Sequence, residues 1–116
     1  MQRVVTAEEM RWCDETAIRS VGIPGALLME HAGRGVAEVI KQEFSPCSSK
    51  RILIVCGKGN NGGDGFVAAR LLSNYCSHVD VMVLAAPAEY KGDAKANYDL
   101  LLRVKKKAAA NISVFR

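Results

Sequence analysis

The sequence predicts an α/β domain built on a parallel sheet. Three short apolar runs, rich in β-branched residues, alternate with segments of helical periodicity: RILIVC at Arg51–Cys56, VDVMVL at 79–84 and ISVF at Ile112–Phe115. This alternation is typical of parallel strands joined by right-handed crossover helices. A glycine-rich segment at 57–65 (GKGNNGGDG) directly follows the first run and precedes a helical pattern, which is where such folds bind phosphates.

Size and composition fit one compact domain. The chain has 116 residues, of which 49% are hydrophobic and 24% charged, as in ordinary globular proteins. No apolar run approaches the roughly 20 residues that cross a bilayer, and the N-terminus lacks a secretory pattern. We therefore expect a cytoplasmic protein with no membrane partner. The modest net charge of +4 and the scattered aromatic residues argue against nucleic-acid binding.

The four cysteines, Cys13, Cys47, Cys56 and Cys76, show neither CxxC spacing nor a matching histidine pattern. Cysteine-based metal sites and redox motifs are therefore disfavoured. We expect reduced thiols, as in a cytosol, and a small apolar role for Cys56 at the end of the first strand.

A first helix is predicted ahead of the sheet. Thr6 and Glu9 have capping-box spacing, and the helix should run to about Ser20. Its buried stripe is expected to contain Met10, Cys13 and Ala17. The break at Gly22-Ile23-Pro24-Gly25 ends this helix.

A second helix is predicted over residues 26–42. Gly33 and Gly35 weaken it intrinsically, so we expect another backbone to approach closely there. Its apolar residues recur on one face: Leu28, Ala32, Val36, Val39 and Ile40.

The remaining elements alternate. The strand Arg51–Cys56 is continuously apolar, so we expect burial on both of its faces. A helix is predicted over 64–77, and another begins at Gly92-Asp93. Three strands are fewer than a doubly wound sheet usually has, so we expect an incomplete sheet that forms the first part of a larger domain.

The glycine-rich segment has the chemistry of a phosphate site. Glycines allow positive φ and close approach of a ligand, and the free amides of a following helix attract anions. A P-loop would need Gly-Lys-Ser/Thr where this chain has Gly63-Asp64-Gly65, which excludes that type of ATP hydrolysis. Gly57, Gly59 and Gly62 match G-x-G-x-x-G. The acidic residue expected at the end of the second strand is absent, however, which disfavours an NAD-dependent dehydrogenase.

Asn60 and Asn61 narrow the chemistry further. Their amide oxygens suit a weakly held cation or the hydroxyl groups of a ligand. Two alternatives remain open at this point. The asparagines could form a left-handed turn, and Asp64 could be the N-cap of the next helix.

The string VCGKGNNGGDGFVAARLL closely resembles the signature of the YjeF N-terminal domain family, the NAD(P)H-hydrate epimerases. Two further segments agree with it: Gly22-Ile23-Pro24-Gly25 leading to Leu28-Met29-Glu30, and Gly92-Asp93-Ala94 with Asn97. The resemblance implies a Rossmann-like three-layer α/β/α fold with a parallel sheet, preceded by two N-terminal helices. Residues 1–116 would be the N-terminal part of one such domain.

The resemblance also implies an activity, that of an isomerase. It would interconvert the R and S epimers of hydrated NADH and NADPH (NADHX and NADPHX) in metabolite repair. The substrate-binding residues would be Asn60, Asn61, Gly62, Gly63 and Asp64, with a potassium ion as cofactor and Asn61 as one of its ligands. A homodimer and fusion to an ADP- or ATP-dependent dehydratase stay open.

The catalytic acid or base has no candidate in this chain. The resemblance places it, with the remaining potassium ligands, beyond Arg116, so we expect the chain alone to be inactive. His31 is interpreted as a structural helix residue near the pocket, not as a base. The alternative function is a non-enzymatic nucleotide-binding or protein-interaction module derived from the same fold.

Overall fold

A computed structural model describes residues 2–108 and 111–116. Within them lie a three-stranded sheet, four α-helices and three shorter helical segments. The α-helices and strands, in chain order, are α1 Ala7–Thr16, α2 Gly25–Glu43, β1 Arg51–Cys56, α3 Asn60–Leu72, β2 His78–Val83, α4 Gly92–Lys107 and β3 Ile112–Phe115. A π-helix, Ala17–Val21, continues α1, and 3-10 helices lie at Cys47–Ser49 and Pro87–Glu89. None of these helices is long and apolar enough to cross a membrane.

The predicted parallel α/β fold is confirmed. The strands lie in the order β1-β2-β3, and both pairs are parallel, from Arg51↔His78 in the first pair and Val79↔Ile112 in the second. Successive right-handed crossovers in one direction place their helices on the same face of a sheet. The core accordingly lies between that face and α3 and α4, where the following side chains are completely buried: Phe66, Leu72, Val79, Val81 and Leu101.

The expectation that β1 is buried on both faces is wrong. Leu53 and Val55 are each 54% exposed, whereas Cys56 on the helix-covered face is buried. Among residues 2–108 and 111–116, helices pack on one face of the sheet only. The described chain thus forms two of the three predicted layers. A continuous apolar run shows that a strand suits burial, but not which of its faces this chain covers.

The capping box of α1 is confirmed, but its buried stripe is wrong. The Glu9 amide donates to Thr6 Oγ1 at 3.1 Å, and the Thr6 amide donates to Glu9 Oε2 at 2.7 Å. However, α1 contains no buried residue, and Met10 and Cys13 are both exposed. The predicted periodicity is helical, yet no other element of the described chain covers that side of the helix.

In α2 the two interior glycines, Gly33 and Gly35, have different roles. A Cβ at Gly33 would overlap the Val67 side chain and lie 2.9 Å from the Asp64 carbonyl oxygen, so the predicted close approach is confirmed there. At Gly35 a Cβ would meet nothing within 4 Å, and the prediction is wrong. The helix packs through Met29, Gly33 and Ala37, while the predicted apolar face is largely exposed, with Val36 at 50% and Val39 at 57%.

Two cysteines are paired, contrary to the expectation of reduced thiols. A disulfide joins Cys47, just before β1, to Cys76, just before β2, with Cα atoms 5.0 Å apart, a usual separation for this bond. Sequence spacing did not indicate the pair because the two positions meet only through the β1–α3–β2 crossover. Cys56 is buried, as predicted, and Cys13 is exposed.

Candidate functional site

The two asparagines lie in the first turn of α3. The helix begins at Asn60, with Gly59 as its N-cap, not at residue 64 as predicted. Asp64 therefore lies one turn inside the helix, and its interpretation as an N-cap is wrong. The left-handed turn is wrong as well, since no non-glycine residue of the described chain has a positive φ.

Glycines of α3 serve close packing, not unusual backbone conformation. A Cβ on Gly62 would collide with the Gly57 carbonyl oxygen, one on Gly63 would lie 3.0 Å from Ala94 Cα, and one on Gly65 would lie 2.6 Å from Cys56 Sγ. Among described residues only Gly22 and Gly92 have positive φ. Gly62, Gly63 and Gly65 thus let α3 begin early and lie close to its neighbours, which outweighs their low helix propensity.

The start of α3 is an open site for an anion. No side chain caps the helix at Gly59, and the Gly62 amide donates to the Gly59 carbonyl at 3.0 Å. The amides of Asn60 and Asn61 precede the first helical acceptors and are free by position. A Cβ at Gly57 or Gly59 would meet nothing within 4 Å, so a ligand can approach this backbone, where the helix dipole favours negative charge.

Two clefts meet at Asn60. The first, here named the lysine cleft, has a volume of about 570 Å³ and is lined by Lys58, Gly59, Asn60, Ala88, Glu89, Lys91 and Ala94. The second, here named the acidic cleft, has a volume of about 210 Å³ and lies between the N-terminal helices and α3. Its polar lining residues are Asp14, Asn60, Asn61, Asp64 and Asp93.

The acidic cleft has the oxygen donors that a cation needs. Burial raises the pKa of the Asp64 carboxyl, and the negative charge of Asp14 raises it further. A cation bound near Asp64 would offset both costs, and amide and carboxylate oxygens are ligands of hard cations. Within the described residues no group of three or more His, Cys, Asp or Glu side chains is close enough to hold a metal. The amide oxygens of Asn60 and Asn61 and the carboxylate of Asp64 are donors that this cleft offers to a cation.

The predicted site residues divide into two groups. Asn60, Asn61 and Asp64 line the acidic cleft, whereas Gly62 and Gly63 are buried and line neither cleft. His31 lies in neither cleft; it lines an exposed apolar depression on α2 beside Val36 and Val39.

Five charged residues of the clefts were missed from the sequence: Lys58, Glu89, Lys91, Asp14 and Asp93. Lys58 was inside the glycine-rich segment, and Lys91 follows β2 at the carboxyl edge of the sheet, where α/β folds bind ligands. Asp14 had no such signal, because it reaches the cleft from a distant element. Asp93 lies in the Gly92-Asp93-Ala94 segment that resembles the family, but nothing local to that segment placed it in a cleft. A Cβ on Gly25 would lie 2.6 Å from Asp93 Oδ2, so the carboxylate sits against the N-terminus of α2, where negative charge is stabilising.

Tyr90 contacts the end of β1, directly before the glycine-rich segment 57–65, here named the glycine loop. Its ring is buried, and its hydroxyl donates to the Cys56 carbonyl at 3.2 Å. The ring packs edge-on against Phe66, with centroids 5.1 Å apart, and stacks on Tyr98 at 5.8 Å. This contact fixes the last residue of β1, from which the loop to α3 departs.

The chain resembles known proteins along most of its length. It is 47% identical over 98 residues to the bifunctional NAD(P)H-hydrate repair enzyme Nnr of Moorella thermoacetica, covering 84% of this chain and 18% of that protein. It is 46% identical over 98 residues to the NAD(P)H-hydrate epimerase of Pirellula staleyi, covering 84% and 42%. The crystal structure of yeast YNL200c shares the fold, with a TM-score of 0.76 at 23% identity, over 97% of this chain and 47% of that one.

These coverages show that the chain spans less than half the length of these relatives. The family model for the YjeF-related protein N-terminus matches residues 25–115. The match contains α2, the glycine loop, the clefts' α3 and α4 residues, and the sheet. The resemblance seen in the glycine-rich string is confirmed, and the chain belongs to the YjeF-related protein N-terminus family.

Proposed function

We propose that residues 1–116 are the N-terminal part of an NAD(P)H-hydrate epimerase domain, an isomerase that interconverts the R and S epimers of hydrated NADH and NADPH. The observation that carries this proposal is the position of Asn60, Asn61 and Asp64 in the first two turns of α3, beside free backbone amides. The names of the relatives from Moorella and Pirellula support the same substrate.

The backbone at the start of α3 binds the diphosphate of the dinucleotide. The Asn60 and Asn61 amides donate to phosphate oxygens, and Gly57 and Gly59 permit close approach because they have no side chains. The amide groups of the two asparagines hydrogen-bond to ribose hydroxyls. Gly62 and Gly63 act indirectly, by holding α3 close to the loop.

Asn61 and Asp64 hold a potassium ion in the acidic cleft. Support for this comes from the donor set, because the amide of Asn61 and the carboxyl of Asp64 line the same cleft, where a cation would stabilise the ionised carboxylate. A potassium ion bound there would supply a fixed positive charge beside the dinucleotide. The described chain offers Asn61 as the neutral ligand and leaves room for ligands from outside it.

Binding calorimetry with NADPHX, in buffers of potassium or sodium chloride, tests the site. We expect Asn61→Ala to weaken binding about tenfold or more, as loss of a charge-assisted contact does, and to remove any difference between the two salts. Asn74→Ala is the matched control, since Asn74 is exposed just beyond the other end of α3. Equal affinities for wild type and Asn61→Ala would refute the role of Asn61.

Epimerisation needs acid–base assistance at the hydrated carbon, and no residue is assigned to it here. We therefore expect no epimer exchange by this chain alone when the R and S forms are separated by chromatography. Turnover at the rate of the intact Pirellula enzyme would contradict this expectation. Fusion to a dehydratase, a homodimer and a cytoplasmic location stay predictions.

The second candidate function is a non-enzymatic nucleotide-binding or protein-interaction module. It is favoured by the exposed face of the sheet, where Leu53 and Val55 leave apolar surface for a partner. Adding the separately produced C-terminal half of the Pirellula enzyme distinguishes the two. Restored epimer exchange supports the epimerase, whereas ligand binding without exchange supports the module.

A further inference from the structure

The lysine cleft holds two positive charges supplied by separate loops. Lys58 belongs to the loop between β1 and α3, and Lys91 belongs to the connection between β2 and α4. Gly59 and Asn60, at the free start of α3, line the same cleft. Both loops leave the carboxyl edge of the parallel sheet, which is where ligands bind in folds of this kind.

Both lysines are available to a ligand. Their side chains are exposed, and in the part of the chain that the structure describes neither takes part in an ion pair, whereas Lys41 and Lys95 pair with Glu38 and Asp99.

Among the described residues Glu89 is the one carboxylate that lines the cleft, and it already has a partner. It accepts a hydrogen bond from the Ala86 amide at 2.7 Å. Two ammonium groups and the positive end of a helix therefore outweigh one engaged carboxylate, and the cleft favours an anion.

The size of the cleft and its two lysines suit a small-molecule anion. Its volume of about 570 Å³ is in the range of small-molecule sites. Lys105, Lys106 and Lys107 lie in the last turn of α4, at the opposite end of that helix from the cleft. The cleft lysines therefore do not extend into a basic stripe of the kind that follows a nucleic-acid backbone.

We propose that Lys58 and Lys91 clamp the phosphate groups of the dinucleotide from two sides of the lysine cleft. This inference rests on the proposed function and adds to it two binding residues outside the asparagine-glycine string. Lys58 lies next to the amides that face the diphosphate. Lys91, supplied by the β2–α4 connection, contacts the same diphosphate or a 2′-phosphate, since both present the same anionic oxygens.

Calorimetry with ADP-ribose and with its 2′-phosphorylated form tests the clamp. We expect Lys58→Ala and Lys91→Ala each to weaken binding about tenfold, as loss of a hydrogen bond between charged groups does, and wild-type affinity to fall as salt rises. Lys105→Ala is the matched control, with the same charge change in an exposed residue far from the cleft. Glu89→Gln, which can still accept from the Ala86 amide, should tighten binding a few-fold.

The two ligands separate the two phosphate sources. A loss in Lys91→Ala for both ligands places Lys91 on the diphosphate, and a loss confined to the phosphorylated ligand places it on the 2′-phosphate; either result supports the clamp. Affinities for both ligands in Lys58→Ala and Lys91→Ala equal to that of Lys105→Ala would overturn it. Circular dichroism confirms that each variant is folded.

The clamp and the proposed function can fail separately. Lysine-dependent binding of ADP-ribose without binding of NADPHX would overturn the epimerase proposal and keep the clamp. Binding of NADPHX that depends on Asn61 but not on the lysines would overturn the clamp and keep the epimerase proposal. A wild-type chain that binds none of these ligands would overturn both.

Discussion

Cys56 is buried where β1 meets the glycine loop. Its sulfur lies next to Gly65, and its carbonyl accepts a hydrogen bond from the Tyr90 hydroxyl. Burial raises the pKa of the Cys56 thiol from its usual 9.0 to about 11. The folded protein therefore keeps the thiol protonated at a pH where the unfolded chain has lost the proton. This asymmetry makes the stability of the fold depend on pH in the alkaline range.

We expect the Cys56 contribution to be fully present below pH 9 and to be lost as pH rises through about 11, because only the unfolded state ionises in that interval. Urea unfolding at several pH values measures this loss as a decrease in the urea concentration at the midpoint of unfolding. In Cys56→Ala the midpoint should decrease less with rising pH than in wild type. In Cys13→Ala, which removes an exposed thiol, the pH dependence should be unchanged. The same pH dependence in Cys56→Ala and wild type would contradict the assignment.

At the scale of elements, the interior of α2 contains two glycines, Gly33 and Gly35, whose surroundings differ. Gly33 faces α3, where Val67 and the Asp64 carbonyl leave no room for a methyl group, and Gly35 faces open space. Both weaken the isolated helix to the same degree. Comparing the same substitution at the two positions therefore separates the effect of helix propensity on stability from the effect of packing.

We expect Gly33→Ala to destabilise the fold by about 1–3 kcal/mol, since an extra methyl forces α2 away from α3. Gly35→Ala, its matched control, should stabilise the fold by up to about 1 kcal/mol through helix propensity alone. Chemical denaturation followed by circular dichroism measures both changes. Effects of the same sign in the two variants would show that packing does not distinguish the sites.

The glycines at the start of α3 show which features the local sequence could predict and which it could not. Apolar runs and helical periodicity were sufficient for the element order and the parallel sheet. The start of α3 was predicted four residues late, at 64 instead of Asn60, because Gly62 and Gly63 lower helix propensity while their tight packing is a tertiary property. One contiguous string contains Asn60, Asn61 and Asp64, so these site residues could be predicted from local sequence. Asp14 and Lys91 are distant from that string and line the clefts only because the chain folds as it does.

At the scale of the whole molecule, the cysteines are divided among three environments. Cys13 is on the surface, Cys56 is in the core, and Cys47 and Cys76 are joined across the start of the sheet. That pair holds the segment before β1 to the turn before β2, where Ser77 also donates to the Lys50 carbonyl. One end of the sheet is thus cross-linked and the other carries the site.

Thiol titration with a chromogenic disulfide should therefore proceed in steps. We expect one rapidly reacting thiol in the native protein, a second after unfolding in denaturant, and four after reduction, since the sequence has four cysteines of which two are paired. Cys13→Ala should remove the rapid step only. Four reactive thiols in unreduced, denatured protein would show that Cys47 and Cys76 are not joined.

The absence of buried residues in α1 affects how this protein can be observed. The chain's one tryptophan, Trp12, is on α1 and is 66% exposed, and Asp14 on the same helix lines the acidic cleft. Indole emission depends on contact with water, so its wavelength reports whether this helix is covered and is insensitive to the tyrosine-lined core. The molecule therefore has a built-in optical probe of the exposed side of α1 that carries Trp12, which differs from the side that carries Asp14. A partner that covers the Trp12 side would shift the emission to the blue without any label.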